Sequence, residues 1–263
     1  MLYNKNKITI LLKVGVYMNK KIFFILVGIA VIVGVITFMF WQDKKVEDNI
    51  VPEKFEYVDI EAKEAYKLIS DDKDVVIIDV SPRYDKGRIP NSINHYVGDG
   101  SLDKAIPDLD KDKIYLVYCH VDSASIPGAQ KLVDAGFEKV YRLKDNYPAW
   151  IDGGYPIEVG LKAVGEYQGS ALASRSYLEG EFEHRVIADI NDPPSGKFYE
   201  GWLVAGDKFF STGAMKKENG KYILIYTSNE DSRSYKEVVI TEETLSDGLD
   251  NKPETHVLEG EFE

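Results

Sequence analysis

Two short, almost wholly apolar runs constrain this chain more than any other feature. They are Val75-Val76-Ile77-Ile78-Asp79-Val80, interrupted once by an acid, and Ile114-Tyr115-Leu116-Val117-Tyr118. A strand with one wet face alternates apolar and polar residues, whereas a continuous apolar run needs cover on both faces, as in a parallel sheet under helices. Helical patterns flank both runs. Ile60 to Ser70 places Ile60, Ala62, Ala65, Tyr66 and Ile69 at helical spacing, and Ser125 to Ala135 stops at Gly136, a C-terminal cap. Val140-Tyr141-Arg142-Leu143 reads as a third strand. Strands alternating with helices predict an α/β domain with a mainly parallel sheet.

The pattern changes further along. Residues 159–176 are rich in Gly, Ala and Ser and read as a linker. Beyond them Phe198–Val204, Phe209–Met215, Tyr222–Thr227, Tyr235–Thr241 and His256–Phe262 are β-branched and aromatic, punctuated by Asp-Pro-Pro-Ser-Gly, Glu-Asn-Gly and Ser-Asp-Gly turns. This predicts a β-sandwich over residues 177–263. The hexapeptide LEGEFE occurs at 178–183 and again at 258–263; two copies are too few for a solenoid.

At the other end, Ile22 to Trp41 is a run of twenty residues without a charge. At about 1.5 Å per residue it matches the ~30 Å hydrocarbon core of a bilayer. Lys5, Lys7, Lys13, Lys20 and Lys21 precede it with no acid among them, which predicts residues 1–21 as a short cytoplasmic tail and the rest outside the cytoplasmic membrane. The run ends Phe38-Met39-Phe40-Trp41, a poor cleavage site, so an uncleaved single-pass anchor is expected rather than a signal peptide. Residues 42–56 read as a stalk, leading to an α/β domain over 57–158. Met18-Asn19-Lys20-Lys21 reads as a natural start, which would make residues 1–17 an extension.

A net charge of −12 argues against nucleic acid as a partner. Cys119 is the single cysteine, which excludes an intramolecular disulfide and a cysteine-rich metal site. It lies directly after a buried strand and before a helix, and in open α/β sheets ligands gather at the carboxyl ends of strands. Backbone N–H groups in the following loop, at a helix start, would stabilise a thiolate or persulfide and lower the thiol pKa. Pro127 places the helix start near Ser125.

These residues carry a family resemblance. Val75 to Ser81, with Gly87-Arg88-Ile89-Pro90-Asn91-Ser92-Ile93-Asn94, resembles the first rhodanese signature, an apolar strand ending Asp-Val-Arg and then G-H-I-P-G-A-x-N. Tyr118-Cys119 through Ser125, then Ala129, Leu132, Ala135, Gly136 and Phe137, resembles the second, Y-C-x-x-G-x-R-S and its helix. Val140 to Leu143, Ala149-Trp150 and Gly154-Tyr155-Pro156-Ile157 resemble the closing segment. The resemblance implies a sulfurtransferase. Cys119 would take the outer sulfur of a small donor (thiosulfate or polysulfide), hold it as a persulfide and pass it to a thiol acceptor, with no cofactor and no metal. Loop residues His120, Val121, Asp122, Ser123, Ala124 and Ser125 would cradle the sulfur, and Asp79 would organise the site.

The departures bear on activity. Asp122 stands where the family has glycine, Ala124 where it has the loop arginine, Ser81 where it has the arginine after Asp-Val, and Arg88 where it has histidine. Losing a fixed cation weakens the hold on a dianion, and Asp122 adds charge of the wrong sign; Arg83, Arg88 and His120 are the candidates to compensate. A cysteine phosphatase needs an arginine six residues after the nucleophile, and that residue is Ser125. A second reading stays open, a weak or inactive module that senses sulfur or redox species or scaffolds other proteins. Tyr199 to Val204 with Val238 to Glu242, Asp247-Gly248 and Pro253 resembles the extracytoplasmic domain of anti-sigma-K factors, and an envelope protein is the partner expected for the sandwich.

Overall fold

The computed structural model describes residues 28–39 and 55–263. Residues 28–39 form a helix, α1, with every residue exposed. No helix among the described residues is long and apolar enough to cross a membrane. The remainder of the expected span (22–27, 40 and 41), the tail 1–21 and stalk residues 42–54 lie outside the described residues.

Phe55–Glu263 form one compact unit. It opens with β1 (Val58–Ile60), α2 (Ala62–Asp71), β2 (Val76–Asp79), β3 (Ile93–Asn94), α3 (Ser101–Ala105), β4 (Tyr115–Tyr118), α4 (Asp122–Asp134), β5 (Val140–Leu143) and α5 (Asn146–Asp152). The five strands lie in the order β1-β5-β4-β2-β3, and every pairing is parallel. All four residues of β4 are buried, as its unbroken apolar run requires. Successive side chains alternate between two cores. Ile77, Leu116, Tyr118 and Leu143 face one; Ile78, Val80, Tyr115, Val117 and Cys119 face the other with Leu132 and Phe137 of the α4 region.

Helix α4 ends as its sequence predicts. Gly136 is left-handed (φ 85°), its N–H donates to the Val133 carbonyl at 2.9 Å, and the Phe137 N–H donates to the Leu132 carbonyl at 3.1 Å. That is a Schellman closure, which glycine adopts without Cβ strain. The other end differs from expectation. The helix begins at Asp122, not near Ser125, and Pro127 sits inside it.

The C-terminal region also differs from the expected sandwich. Strands β6 (Ile157–Ala163), β7 (Gly169–Leu178), β8 (Glu181–Ile190), β9 (Lys197–Ala205), β10 (Lys208–Ala214), β11 (Lys216–Glu218), β12 (Lys221–Ser228), β13 (Glu237–Thr244) and β14 (Thr255–Glu261) form one antiparallel nine-stranded sheet, in the order β10-β9-β13-β14-β6-β7-β8-β12-β11. The sheet curls into a near-barrel, so Phe210 of β10 packs against Tyr226 of β12, their ring centroids 5.6 Å apart and their planes tilted by 50°. Residues read as a linker are β6 and β7. Their Gly, Ala and Ser content suits a tightly curved wall, and Ala171, Ala173 and Arg175 alternate inward along β7.

The parallel domain and the near-barrel share a core. Trp150, Tyr147 and Ile89 belong to the same buried cluster as Ile157, Phe182 and Phe262. Backbone bonds cross the junction, with Arg88 and Glu158 exchanging N–H···O bonds at 3.0 and 2.9 Å and the Tyr177 N–H reaching the Gly154 carbonyl at 2.8 Å.

Candidate active site

Cys119 is the first residue after β4, and only 1% of it is exposed. The backbone N–H groups of Val121 and His120 act on its sulfur, each pulling the thiol pKa down. The cradle is narrower than expected. The N–H groups of Ala124 and Ser125 both donate to the Val121 carbonyl at 3.3 Å, because α4 starts early enough to use them. Ser123 is exposed on the first helical turn and Ala124 is half-buried.

The electrostatic balance at the sulfur also differs from expectation. Burial pushes the Cys119 thiol up, more strongly than the Val121 and His120 amides pull it down; Asp79 raises it further and Arg83 lowers it. Desolvation wins because the neutral thiol loses little on burial while the thiolate loses its hydration.

Asp79 ends β2 beside Tyr118, its register partner in β4. It is fully buried, with Oδ1 accepting the Ser81 N–H at 2.8 Å and Oδ2 unpartnered. Burial raises its pKa from 3.8 to about 6, against the hydrogen bonds that favour the carboxylate. The Tyr118 hydroxyl is 3.0 Å from Ser92 Oγ and accepts the Ile89 N–H at 3.1 Å, which ties the β2–β3 connection to the site.

Asp122 does not present a free charge at the Cys119 loop. Its Oδ1 accepts from Arg142 Nη1 at 2.5 Å and from Asn146 Nδ2 at 2.8 Å. The hydrogen bonds from Asn146, then from Arg142, hold its carboxyl below the usual range. Arg142 in β5 also grips Asp59 through Nε and Nη2, each at 2.7 Å, and donates to Ser125 Oγ at 3.2 Å. Its side chain is 6% exposed. The loop therefore keeps a fixed arginine, delivered from a neighbouring strand and bound to the loop's own acid. Sequence reading missed this role, although a charge inside a buried strand is itself a signal, since such charges are paired.

The three compensating candidates separate. Arg83 acts on the Cys119 thiol. Arg88 is committed elsewhere, its Nε 2.8 Å from Glu158 Oε1 and its guanidinium 4.6 Å from the Tyr84 ring centroid. The His120 side chain is 6% exposed, packs against Tyr147 at 4.8 Å between centroids, and has Nδ1 2.9 Å from Glu263 Oε2; its Nε2 has no partner. Burial lowers the His120 pKa. Glu263 also meets Arg83, Oε1 to Nη1 at 3.3 Å, a contact the sequence gives no means of foreseeing. Tyr147 ties α5 to the site by donating its N–H to the Cys119 carbonyl at 2.9 Å.

Among the described residues no group of three or more His, Cys, Asp and Glu side chains is placed to hold a metal ion. A cleft of about 450 Å³ lies on the nine-stranded sheet, lined by Trp202, Phe209, His256 and Glu259 among others, and includes no residue of the Cys119 loop.

A parallel sheet with a cysteine and its amide cradle at a central strand's carboxyl end defines the class, and comparison with known proteins agrees. The Rhodanese-like domain family matches residues 61–152. The thiosulfate sulfurtransferase GlpE of Coxiella burnetii is 33% identical over 96 residues, which are 36% of this chain and 87% of that protein. GlpE of Glaesserella parasuis is 29% identical over 106 residues, 40% of this chain and 95% of that protein. Among solved structures, a rhodanese-related protein from Thermoplasma volcanium is 28% identical, with 38% of this chain and 97% of that one covered and a TM-score of 0.34. The chain belongs to the rhodanese-like family through this domain.

Proposed function

We propose that the protein carries sulfane sulfur as a persulfide on Cys119, outside the cytoplasmic membrane and anchored there by residues 22–41. The observation that carries the reading is the single cysteine at the carboxyl end of a central parallel strand, directly before a helix start, where the backbone amides of Val121 and His120 favour its thiolate. The Cys119 thiolate attacks the outer sulfur of thiosulfate or a polysulfide. The new S–S bond forms as the donor's own S–S bond breaks, and sulfite or the shortened polysulfide leaves with the electron pair. An acceptor thiolate then attacks the outer sulfur and Cys119 departs as thiolate. The thiosulfate sulfurtransferases similar to this chain support the donor class. The anchor is supported by the uncharged run Ile22 to Trp41 and the lysines before it; an envelope protein docked on the nine-stranded sheet would be in the same compartment.

A second reading, a sulfur or redox sensor or a scaffold, is favoured by the burial of Cys119 and its raised pKa, which slow turnover. Intact mass spectrometry after incubation with thiosulfate and with polysulfide separates the two. A one-sulfur adduct that a small thiol removes and that Cys119→Ser lacks is the expected result. A folded protein that takes up no sulfur from either donor would refute the transfer reading.

A further inference from the structure

Glu263 follows β14, which pairs with β6 at the junction of the two parts, and reaches the Cys119 loop from there. Its backbone is held in place, the Glu263 N–H donating to the Lys86 carbonyl at 3.2 Å and the preceding Phe262 N–H to the Lys236 carbonyl at 2.9 Å. Phe262 is fully buried, with the Arg175 guanidinium 4.2 Å from its ring centroid. From that anchor the carboxylate divides its oxygens, Oε1 to Arg83 at 3.3 Å and Oε2 to His120 at 2.9 Å. A sulfonate end would present its oxygens to the same two side chains. Arg83 is the cation that lowers the Cys119 thiol pKa, and Glu263 neutralises it. Arg142, the other arginine at the loop, is spent on Asp59 and Asp122. With Asp79 also acidic, an anion approaching Cys119 meets no free cation among these groups.

We propose that the Glu263 carboxylate occupies the seat between Arg83 and His120 that the anionic end of a sulfur donor takes, so that a donor reaches Cys119 by displacing it. This rests on the reading of Cys119 as a sulfur acceptor. The seat is displaceable, since the Glu263 side chain is 26% exposed and that of Arg83 60%. Glu263 thereby selects among donors. Those with a single diffuse charge pass more easily than compact dianions, whose hold on Arg83 has to exceed that of a tethered carboxylate at high effective concentration.

The single cysteine makes alkylation report on this site alone. In the full chain, the labelling rate with anionic iodoacetate is divided by that with neutral iodoacetamide. Glu263→Gln, which keeps the chain length and the Phe262 anchor, raises that ratio about two- to fivefold, the range of a partly exposed ion pair. Sulfate, as the probe of a seat whose occupant is now neutral and more easily displaced, then slows iodoacetamide labelling of Glu263→Gln at concentrations that leave the wild type unaffected. By NMR, His120 titrates at lower pH in the variant, because the carboxylate that favours its charged form is gone. An unchanged ratio, or an unchanged His120 titration, overturns the proposal. Persulfide formation is scored separately. Sulfur uptake with an unchanged ratio removes Glu263 from the mechanism and leaves sulfur transfer standing. A shifted ratio without uptake from any donor keeps the anion seat and removes the transferase.

Discussion

Replacing Asp79 by asparagine removes a buried charge while keeping a carbonyl oxygen for the Ser81 N–H, now 2.8 Å from Oδ1. Asp79 is fully buried, one of its oxygens has no partner, and its pKa is raised from 3.8 to about 6. A carboxyl whose folded pKa lies above its unfolded one stabilises the fold below the unfolded value, and that stability is lost as pH rises through the folded value. The interval from 3.8 to about 6, at about 1.4 kcal/mol per pH unit, corresponds to about 3 kcal/mol. Asp79→Asn is therefore expected to be more stable than the wild type by up to about 3 kcal/mol at pH 8, with the advantage shrinking toward zero by pH 4. Urea unfolding of both proteins at pH 4, 6 and 8 measures this, and taking the difference cancels the other titrating groups. The Cys119 thiol, which the Asp79 charge raises, should also titrate lower in the variant. A variant less stable than the wild type by the same amount at every pH would refute the argument, because the side chain would then act by shape and hydrogen bonding rather than by charge.

Arg142→Ala should destabilise the protein by about 2–3 kcal/mol in urea unfolding, below the 3–5 of a fully buried pair because Asp59 and Asp122 keep partial access to water. Arg142→Lys should recover part of that loss, lacking the two-pronged grip on Asp59; full recovery would mean that charge alone matters. His184 in β8 is fully buried with Nε2 unpartnered, and burial lowers its pKa from 6.5 to about 4. A depressed histidine stabilises the fold above its unfolded pKa, so stability should fall by about 3 kcal/mol between pH 6.5 and 4, and His184→Gln should flatten that slope in the same unfolding series.

Much of the site is legible in the sequence. The run ending at Tyr118 placed Cys119 at a strand end, and the similar run ending near Val80 placed Asp79 on the adjacent strand. Of the two arginines expected at the site, Arg83 acts on the thiol, whereas Arg88 serves Glu158 instead. The Cys119 shift has the opposite sign to that expected from the sequence, because amide donors can be read from a loop pattern while the depth of burial cannot. Asp122 read as an unfavourable charge, since its partners Arg142 and Asn146 are 20 and 24 residues away along the chain.

The hexapeptide LEGEFE separates the two kinds of information. At 178–183 it makes the turn between β7 and β8, with Glu179 and Gly180 left-handed at φ 53° and 86°. At 258–263 its first four residues continue β14 as extended strand. Both phenylalanines, Phe182 and Phe262, are fully buried. Local sequence determined which apolar residues go to the core, because hydrophobic burial depends on residue type, and it determined where parallel strands lie, because an apolar run requires cover on both faces. Tertiary structure decided the rest: whether the same six residues turn or extend, whether nine strands close as one sheet or part into two, and which distant charge meets which. Each of those outcomes depends on pairings between residues far apart in the chain, and a charge such as Glu263 has no local partner from which its place beside Arg83 and His120 can be read.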